Sequence, residues 1–341
     1  MRLRRAAGLA TGALLIATLL VMIMLFIAAC GTARSTAPHL SPGRGAAERV
    51  ELASTLRGGP VKPPAKGTLF GAYVGPKPAD HASRLRAVAR FERTIGRKLD
   101  VVHTYRNWGD SFGTGGDRDL LRTGATLLYS WAGTDPRRVT AGRYDAMIAR
   151  SAKQIKAMKR PILLEWRWEM DRPNLRSQVH SAAAFVSAWK HLHGIFDRQH
   201  VSNASWVWCP SADGFSKEEG RRALPFYPGD AQVDWLCADA YPHRNMRRSF
   251  QETVTPFLAW ARQHPKPIII GEYGVPSVYG STLRGTWLRA ATRFIKAHPQ
   301  IKAACYYESD PHKDVGNYSI SNDRKALAAF RAMGRDRHFN P

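Results

Sequence analysis

From about Thr68 to the C-terminus, short apolar runs alternate with longer amphipathic ones, and nothing else in the sequence constrains the fold as strongly. The runs that read as strands are LFGAYVG (69–75), DVVHTYRN (100–107), TLLYSWA (126–132), PILLEWRW (161–168), ASWVWCP (204–210), WLCADAY (235–241), PIIIGEYG (267–274) and AACYYES (303–309). Between most of them lies a helical pattern. In 181–198, Phe185, Trp189, Leu192 and Phe196 recur at spacings of four, three and four, which is one helix face. Residues 82–96, 143–158, 249–263, 283–297 and 323–333 read similarly, and the connections after the second and fifth strands are weaker helices. Strands alternating with helices imply a parallel sheet with right-handed crossovers. Eight such units predict an α/β fold, a (β/α)8 TIM barrel forming a single domain over 67–341. An open doubly wound sheet is the alternative. It would offer a glycine-rich phosphate turn after an early strand, and neither GxGxxG nor GxxxxGK[ST] occurs.

The segment ahead of the repeat sets the compartment. Residues 1–30 combine a basic start (Arg2, Arg4, Arg5), a long apolar run and small residues, the pattern of a secretory signal. The run is long enough for an uncleaved anchor helix to be the alternative. Ile27-Ala28-Ala29-Cys30-Gly31 resembles the bacterial lipobox, which implies lipidation at Cys30 and an exported protein held at the outer face of the cell membrane. Residues 31–66, rich in Gly, Pro, Ser, Ala and Arg, read as a flexible tether. The net charge is +24; residues 1–66 hold nine basic and two acidic side chains, so +17 falls on the barrel. Such a surface favours polyanions. In an exported, membrane-tied protein the expected partner is anionic lipid or wall polymer and not nucleic acid, and a monomer is expected. Cys209, Cys237 and Cys305 each sit in an apolar run and read as small buried hydrophobes; this compartment would also permit a Cys209–Cys237 disulfide. No cofactor is indicated, and no metal: the cysteines lack zinc spacing, and Asp110, Asp117 and Asp119 lack the EF-hand pattern.

A barrel places functional residues at the C-terminal ends of its strands. Polar and aromatic residues gather there, among them Tyr73, His103, Tyr105, Asn107, Trp131, Trp168, Trp208, Tyr241 and Tyr307. A ring of aromatics with a few acids suits a sugar, whose C–H faces stack on rings and whose hydroxyls need hydrogen-bond partners. Tyr73, Trp108, Trp131 and Tyr307 are candidate stacking platforms, and His103 and Asn107 candidate partners for sugar hydroxyls. Cleaving a glycosidic bond requires two carboxyl groups flanking it. Glu169 ends the fourth run and Glu272 the seventh, so the two can face each other across the mouth. Glu272 follows a wholly apolar stretch beside Gly271, where a carboxylate is functional or paired. Glu169 lies among Glu165, Arg167, Asp171 and Arg172, where an ion-pair network is the competing explanation. Strand alternation turns Arg167 outward, towards Glu165 or the helices. His312 and Asp314 read as a solvated loop after the eighth strand.

The segments LLEWRWEMDRPN, AWKHLHGIFDRQHVSNASWVWCP, FYPGDAQVDWLCADAY and IIIGEYGVP together resemble glycoside hydrolase family 26, the β-mannanase family of the large clan of retaining barrels. The similarity runs from about Phe70 to Met333. It implies a retaining, endo-acting glycosidase of a β-linked polysaccharide, with Glu169 as acid/base and Glu272 as nucleophile. By the same resemblance Tyr241 orients the nucleophile and Trp208 is a platform beside the reacting sugar. One departure is specific. The family's acid/base segment reads Arg-Pro-x-His-Glu-Met-Asn-Gly, and here Trp168 stands where that histidine would be. Tryptophan has one N–H donor, a stacking face and no acceptor. The departure implies a divergent branch acting on another β-linked glycan.

Overall fold

In the computed structural model, the residues described are 59–76, 80–242, 247–311 and 317–341. Cys30, the signal segment, the tether up to 58, and His312 and Asp314 lie outside them. Eight parallel strands close into a barrel in chain order: β1 (Leu69–Val74), β2 (Val101–Arg106), β3 (Thr126–Trp131), β4 (Ile162–Trp166), β5 (Ala204–Trp208), β6 (Trp235–Ala240), β7 (Ile268–Tyr273) and β8 (Ile301–Glu308). The fold is the expected (β/α)8 barrel.

The helices follow the periodic stretches closely, as with Ala182–Arg198, whose buried face carries Phe185, Trp189, Leu192 and Phe196. Ser181 caps this helix by accepting from the N–H of Ala184. One connection departs from the expectation. Between β5 and β6 only three short 3₁₀ turns occur, Ala212–Phe215, Leu224–Phe226 and Asp230–Gln232. Pro210, Pro225, Pro228 and the glycines of this stretch do not sustain a helix. No described helix is long and apolar enough to cross a membrane.

Two apolar layers hold the barrel. Outside the strands, their outward residues pack on the helices around Phe70, Trp166, Trp208, Tyr273 and Tyr306. Inside, Val101, Leu128, Leu163, Val207, Trp235, Ile269 and Ala303 fill the lumen with Cys209, Cys237 and Cys305. Cys209 and Cys237 form a disulfide across β5 and β6, and Cys305 is free and buried. A Cβ on Gly271 would stand 2.6 Å from Cys237 Sγ and 2.9 Å from Asp239 Oδ1, so glycine leaves room for both. The tether boundary also moves. Val61 is buried at the base, its N–H donating to Ser205 Oγ at 2.8 Å and its carbonyl accepting from Trp235 Nε1 at 3.4 Å. Residues 59–66 therefore belong to the barrel, because the lumen's lower end needs an apolar stopper.

Candidate active site

The C-terminal ends of the strands surround a cleft of about 1410 Å³ lined by Tyr73, Tyr105, Trp168, Glu169, Tyr241 and Glu272, with Asn107 and Tyr307 at its wall. Each carboxylate reaches the cleft through a local break in strand regularity. In β7, Ile269 and Gly271 face the lumen, and alternation alone would turn Glu272 away. The register with β6 skips a residue, from Ala238↔Ile270 to Asp239↔Glu272, and that with β8 shifts between Ile270 and Tyr273. This bulge aims Glu272 into the mouth and leaves Tyr273 packed outside.

The end of β4 is sharper than expected. The strand stops at Trp166, and Arg167 (φ 53°) and Glu169 (φ 50°) both adopt left-handed backbone. Such conformations are uncommon for residues with side chains and cluster at functional sites. The Arg167 N–H donates to the Trp131 carbonyl at 2.9 Å, and the Glu169 N–H to the Cys209 carbonyl at 2.7 Å, which holds the turn in place. Trp168 and Glu169 consequently overhang the cleft. Arg167 is buried beside Gly133 and donates to Gln178 Oε1 at 3.3 Å, outward as expected but for a different reason: with Glu165 in the lumen, alternation would turn Arg167 inward, and its left-handed backbone reverses the face. Glu165 is not its partner. It points into the lumen and accepts from Ser130 Oγ at 2.7 Å.

Glu272 is buried and held at both oxygens. Tyr241 donates to Oε2 at 2.6 Å and Tyr105 donates to Oε1. Burial first, then the negative charge of Glu169, pushes Glu272 up to about 7, while the two hydroxyls pull it back. Burial raises Tyr241 and Tyr105 well above the ordinary tyrosine value, so both remain donors. Glu169 is also raised, again by burial, against the opposing charge of Arg172 at 2.6 Å. That arginine is 47% exposed, and solvent weakens its hold. Asp171 anchors the next turn: its Oδ1 accepts from the Ser211 N–H at 2.8 Å and its Oδ2 from Ser211 Oγ at 2.6 Å.

Three expected sugar-binding residues lie elsewhere. Trp208 is fully buried outside the barrel among Phe215, Tyr227 and Trp260, donating to the Phe226 carbonyl at 3.1 Å. Alternation explains it, since Cys209 faces the lumen and Trp208 must face the helices. Trp131 is likewise buried, stacked under Trp108 and donating to its carbonyl at 3.0 Å. His103 does face inward but lies below the cleft floor, its Nε2 2.6 Å from Ser130 Oγ; burial lowers it to about 3 and keeps it neutral. Tyr73, Asn107, Trp168, Tyr241 and Tyr307 do line the cleft. In the sequence Tyr105 is one strand-end aromatic among many. Its place two residues after His103 on the inward face of β2 was the available signal for its role.

The described residues contain one group with metal-like proximity, Cys209, Cys237 and Asp239, but its sulfurs are joined in the disulfide and have no thiolate to offer.

The geometry defines a class: a (β/α)8 barrel whose mouth presents a buried glutamate, Glu272, and a partly buried one, Glu169, among aromatics. Solved structures with the same fold include the catalytic domain of the GH26 endo-β-1,4-mannanase of Bacillus sp. JAMB-750, with a TM-score of 0.60, 15% identity, and coverage of 80% of this chain and 86% of that one. The GH26 β-mannanase of Bacteroides ovatus has a TM-score of 0.59, 16% identity, and coverage of 80% and 89%. In sequence the chain is 27% identical over 283 residues to endoglucanase H of Acetivibrio thermocellus, covering 78% of this chain and 30% of that protein. It is also 27% identical over 156 residues to the β-1,3-xylanase TXYA of a Vibrio species, covering 44% and 31%. The chain thus spans about a third of the length of these curated relatives. No protein-family model matches it.

Proposed function

We propose that the chain is a divergent member of glycoside hydrolase family 26 that hydrolyses a β-linked polysaccharide, endo-acting, with retention of anomeric configuration. The observation that carries this reading is Glu272, buried and gripped by two tyrosine hydroxyls in one cleft with Glu169. The relatives named as endoglucanase, xylanase and mannanase support the reaction class.

The reaction runs in two displacements. Ionised Glu272 attacks the anomeric carbon, the glycosidic C–O bond breaks, and Glu169 gives its proton to the departing oxygen. Glu169, now a carboxylate, removes a proton from water; the water oxygen attacks the anomeric carbon and Glu272 leaves. The electrostatics suit both steps. Both carboxyls are raised by desolvation, and the negative charge of Glu169 raises Glu272 further, which disfavours double ionisation, so near neutrality the pair keeps a proton. The tyrosine hydroxyls favour charge on Glu272, which directs that proton to Glu169. Arg172 then supports Glu169 as the carboxylate it becomes after the first step. Trp168, its ring 5.1 Å from that of Tyr105, supplies a stacking face over the site.

We also infer export and a lipid anchor at Cys30, from the lipobox-like sequence alone. The test of the activity is a panel of β-mannan, mixed-linkage β-glucan, β-1,3-xylan and cell-wall polysaccharide, with wild type and Glu272→Ala. The proposal predicts reducing-end release from at least one glycan, lost in the variant; equal inertness of both proteins throughout would defeat it.

A further inference from the structure

Four arginines line the cleft, and three are neutralised within it. Arg106 pairs with Asp117, Arg172 with Glu169 at 2.6 Å, and Arg222 with Glu219 at 2.5 Å and Asp171 at 3.2 Å. Arg84 differs. It stands on the first turn of the helix His81–Ile95, half-buried in the cleft wall near Tyr73, and its Nε is buried with no acceptor among the described residues. The nearby acid Asp80 is committed to the helix cap, accepting from the Ser83 N–H at 2.7 Å and from Ser83 Oγ at 2.9 Å. Folding gives no reason for this cation. Burial and the neighbouring charge of Arg106 both press it below the ordinary arginine value. A positive charge in a helix's first turn also opposes the helix dipole. Asp117, already paired with Arg106, offsets this lowering only in part, and a half-buried guanidinium with no ion-pair partner among the described residues, facing a ligand cleft, is costly in the empty protein and favourable once an anion meets it.

We propose that Arg84 forms an anionic subsite, and that the glycan accepted by this cleft carries a carboxylate on the Tyr73 side of the scissile bond. A planar guanidinium fork matches a planar carboxylate, and one positive charge without an ion-pair partner matches one negative charge. The position connects to the chemistry. Tyr73 packs edge-on against Tyr105 at 4.8 Å and stacks on Tyr307 at 5.1 Å, and Tyr105 donates to Glu272. A sugar lying on Tyr73 would therefore place its substituent at Arg84 while a neighbouring ring meets Glu272. This inference deepens the glycosidase reading and rests on it for the cleft being a glycan site.

Binding separates it from turnover. The full chain carrying Glu272→Ala is titrated calorimetrically with oligosaccharides of a glucuronic-acid-bearing β-glycan, with the same oligosaccharides after carboxyl reduction, and with sulfated neutral ones. The carboxylated form should bind about tenfold or more tighter than the reduced form. Adding Arg84→Gln should erase that difference without weakening the reduced form, and Arg84→Lys should keep part of it. Equal affinity for the carboxylated and reduced forms, or a preference that survives Arg84→Gln, overturns the subsite; a preference for the sulfated form overturns the carboxylate. Should carboxylated oligosaccharides bind through Arg84 and yet wild type leave them intact, the subsite stands and the hydrolase reading fails.

Discussion

Two hydroxyls meet the carboxylate of Glu272, and each tests its role separately. Removing either, as Tyr241→Phe or Tyr105→Phe, takes away a hydrogen bond to a charged group, worth about 1.5–3 kcal/mol, so kcat/KM should fall about tenfold to a hundredfold. The pH profile carries a sign as well. Glu272 must be ionised to attack while Glu169 keeps its proton, and burial raises Glu272, so kcat/KM should fall on the acid side as Glu272 is protonated and on the alkaline side as the pair loses its remaining proton. The tyrosines favour the ionised form, and losing one should move this acidic limb to higher pH. Glu169 has a different signature. Glu169→Ala should cost about 10²–10⁴ on a natural glycan but far less on an aryl glycoside whose leaving group needs no proton. Azide, a nucleophile that needs no base, should then restore turnover as the glycosyl azide. If the loss were equal on both substrates and azide did nothing, Glu169 would not be the acid/base.

At the scale of elements, the cleft depends on how strands end. The disulfide ties Cys209, just past the end of β5, to Cys237 within β6, and a closed loop spanning 28 residues confers about 3–4 kcal/mol by chain entropy. Cys209→Ala with Cys237→Ala should lower the denaturation midpoint accordingly. Activity should fall too, because the Cys209 carbonyl holds the Glu169 N–H at 2.7 Å. Unchanged stability would mean the bond is not formed in the protein. The elements themselves were legible because buried strands and one-faced helices leave distinct apolar periods in the chain. What periodicity does not encode is where it breaks. The bulge at Gly271 and the left-handed turns at Arg167 and Glu169 each shift a side chain by one face. Trp208 and Trp131 lie outside the cleft for the related reason that residue type at a strand end does not by itself give the face. Carried one residue further, the same alternation would have sent both outward and Tyr105 inward.

At the scale of the whole molecule, the lumen stores unfavourable charge. Glu165, Asp239, Glu169 and Glu272 are all raised, chiefly by burial, and Glu165 Oε1 and Asp239 Oδ2 have no hydrogen-bond partner among the described residues. Raised acids bind more protons folded than unfolded, so their stabilisation is present below their unfolded values and is lost as pH rises towards about 7. His103, lowered to about 3, works the other way below its ordinary 6.5. His338 is lowered too, again by burial; the four raised acids outweigh these two histidines, and the melting temperature should rise as pH falls from about 8 to about 5. Glu165→Gln should raise it by a few degrees at neutral pH and flatten the dependence; a melting temperature that falls over the same interval would contradict this account of the lumen. The anchor proposed at Cys30 predicts that Cys30→Ala releases the exported chain from the membrane fraction. The central claim, double displacement through Glu272, is tested most directly by proton NMR of the first product formed from a cleaved β-glycan, before mutarotation. The account predicts that the new reducing end appears as the β-anomer; initial appearance of the α-anomer would contradict it.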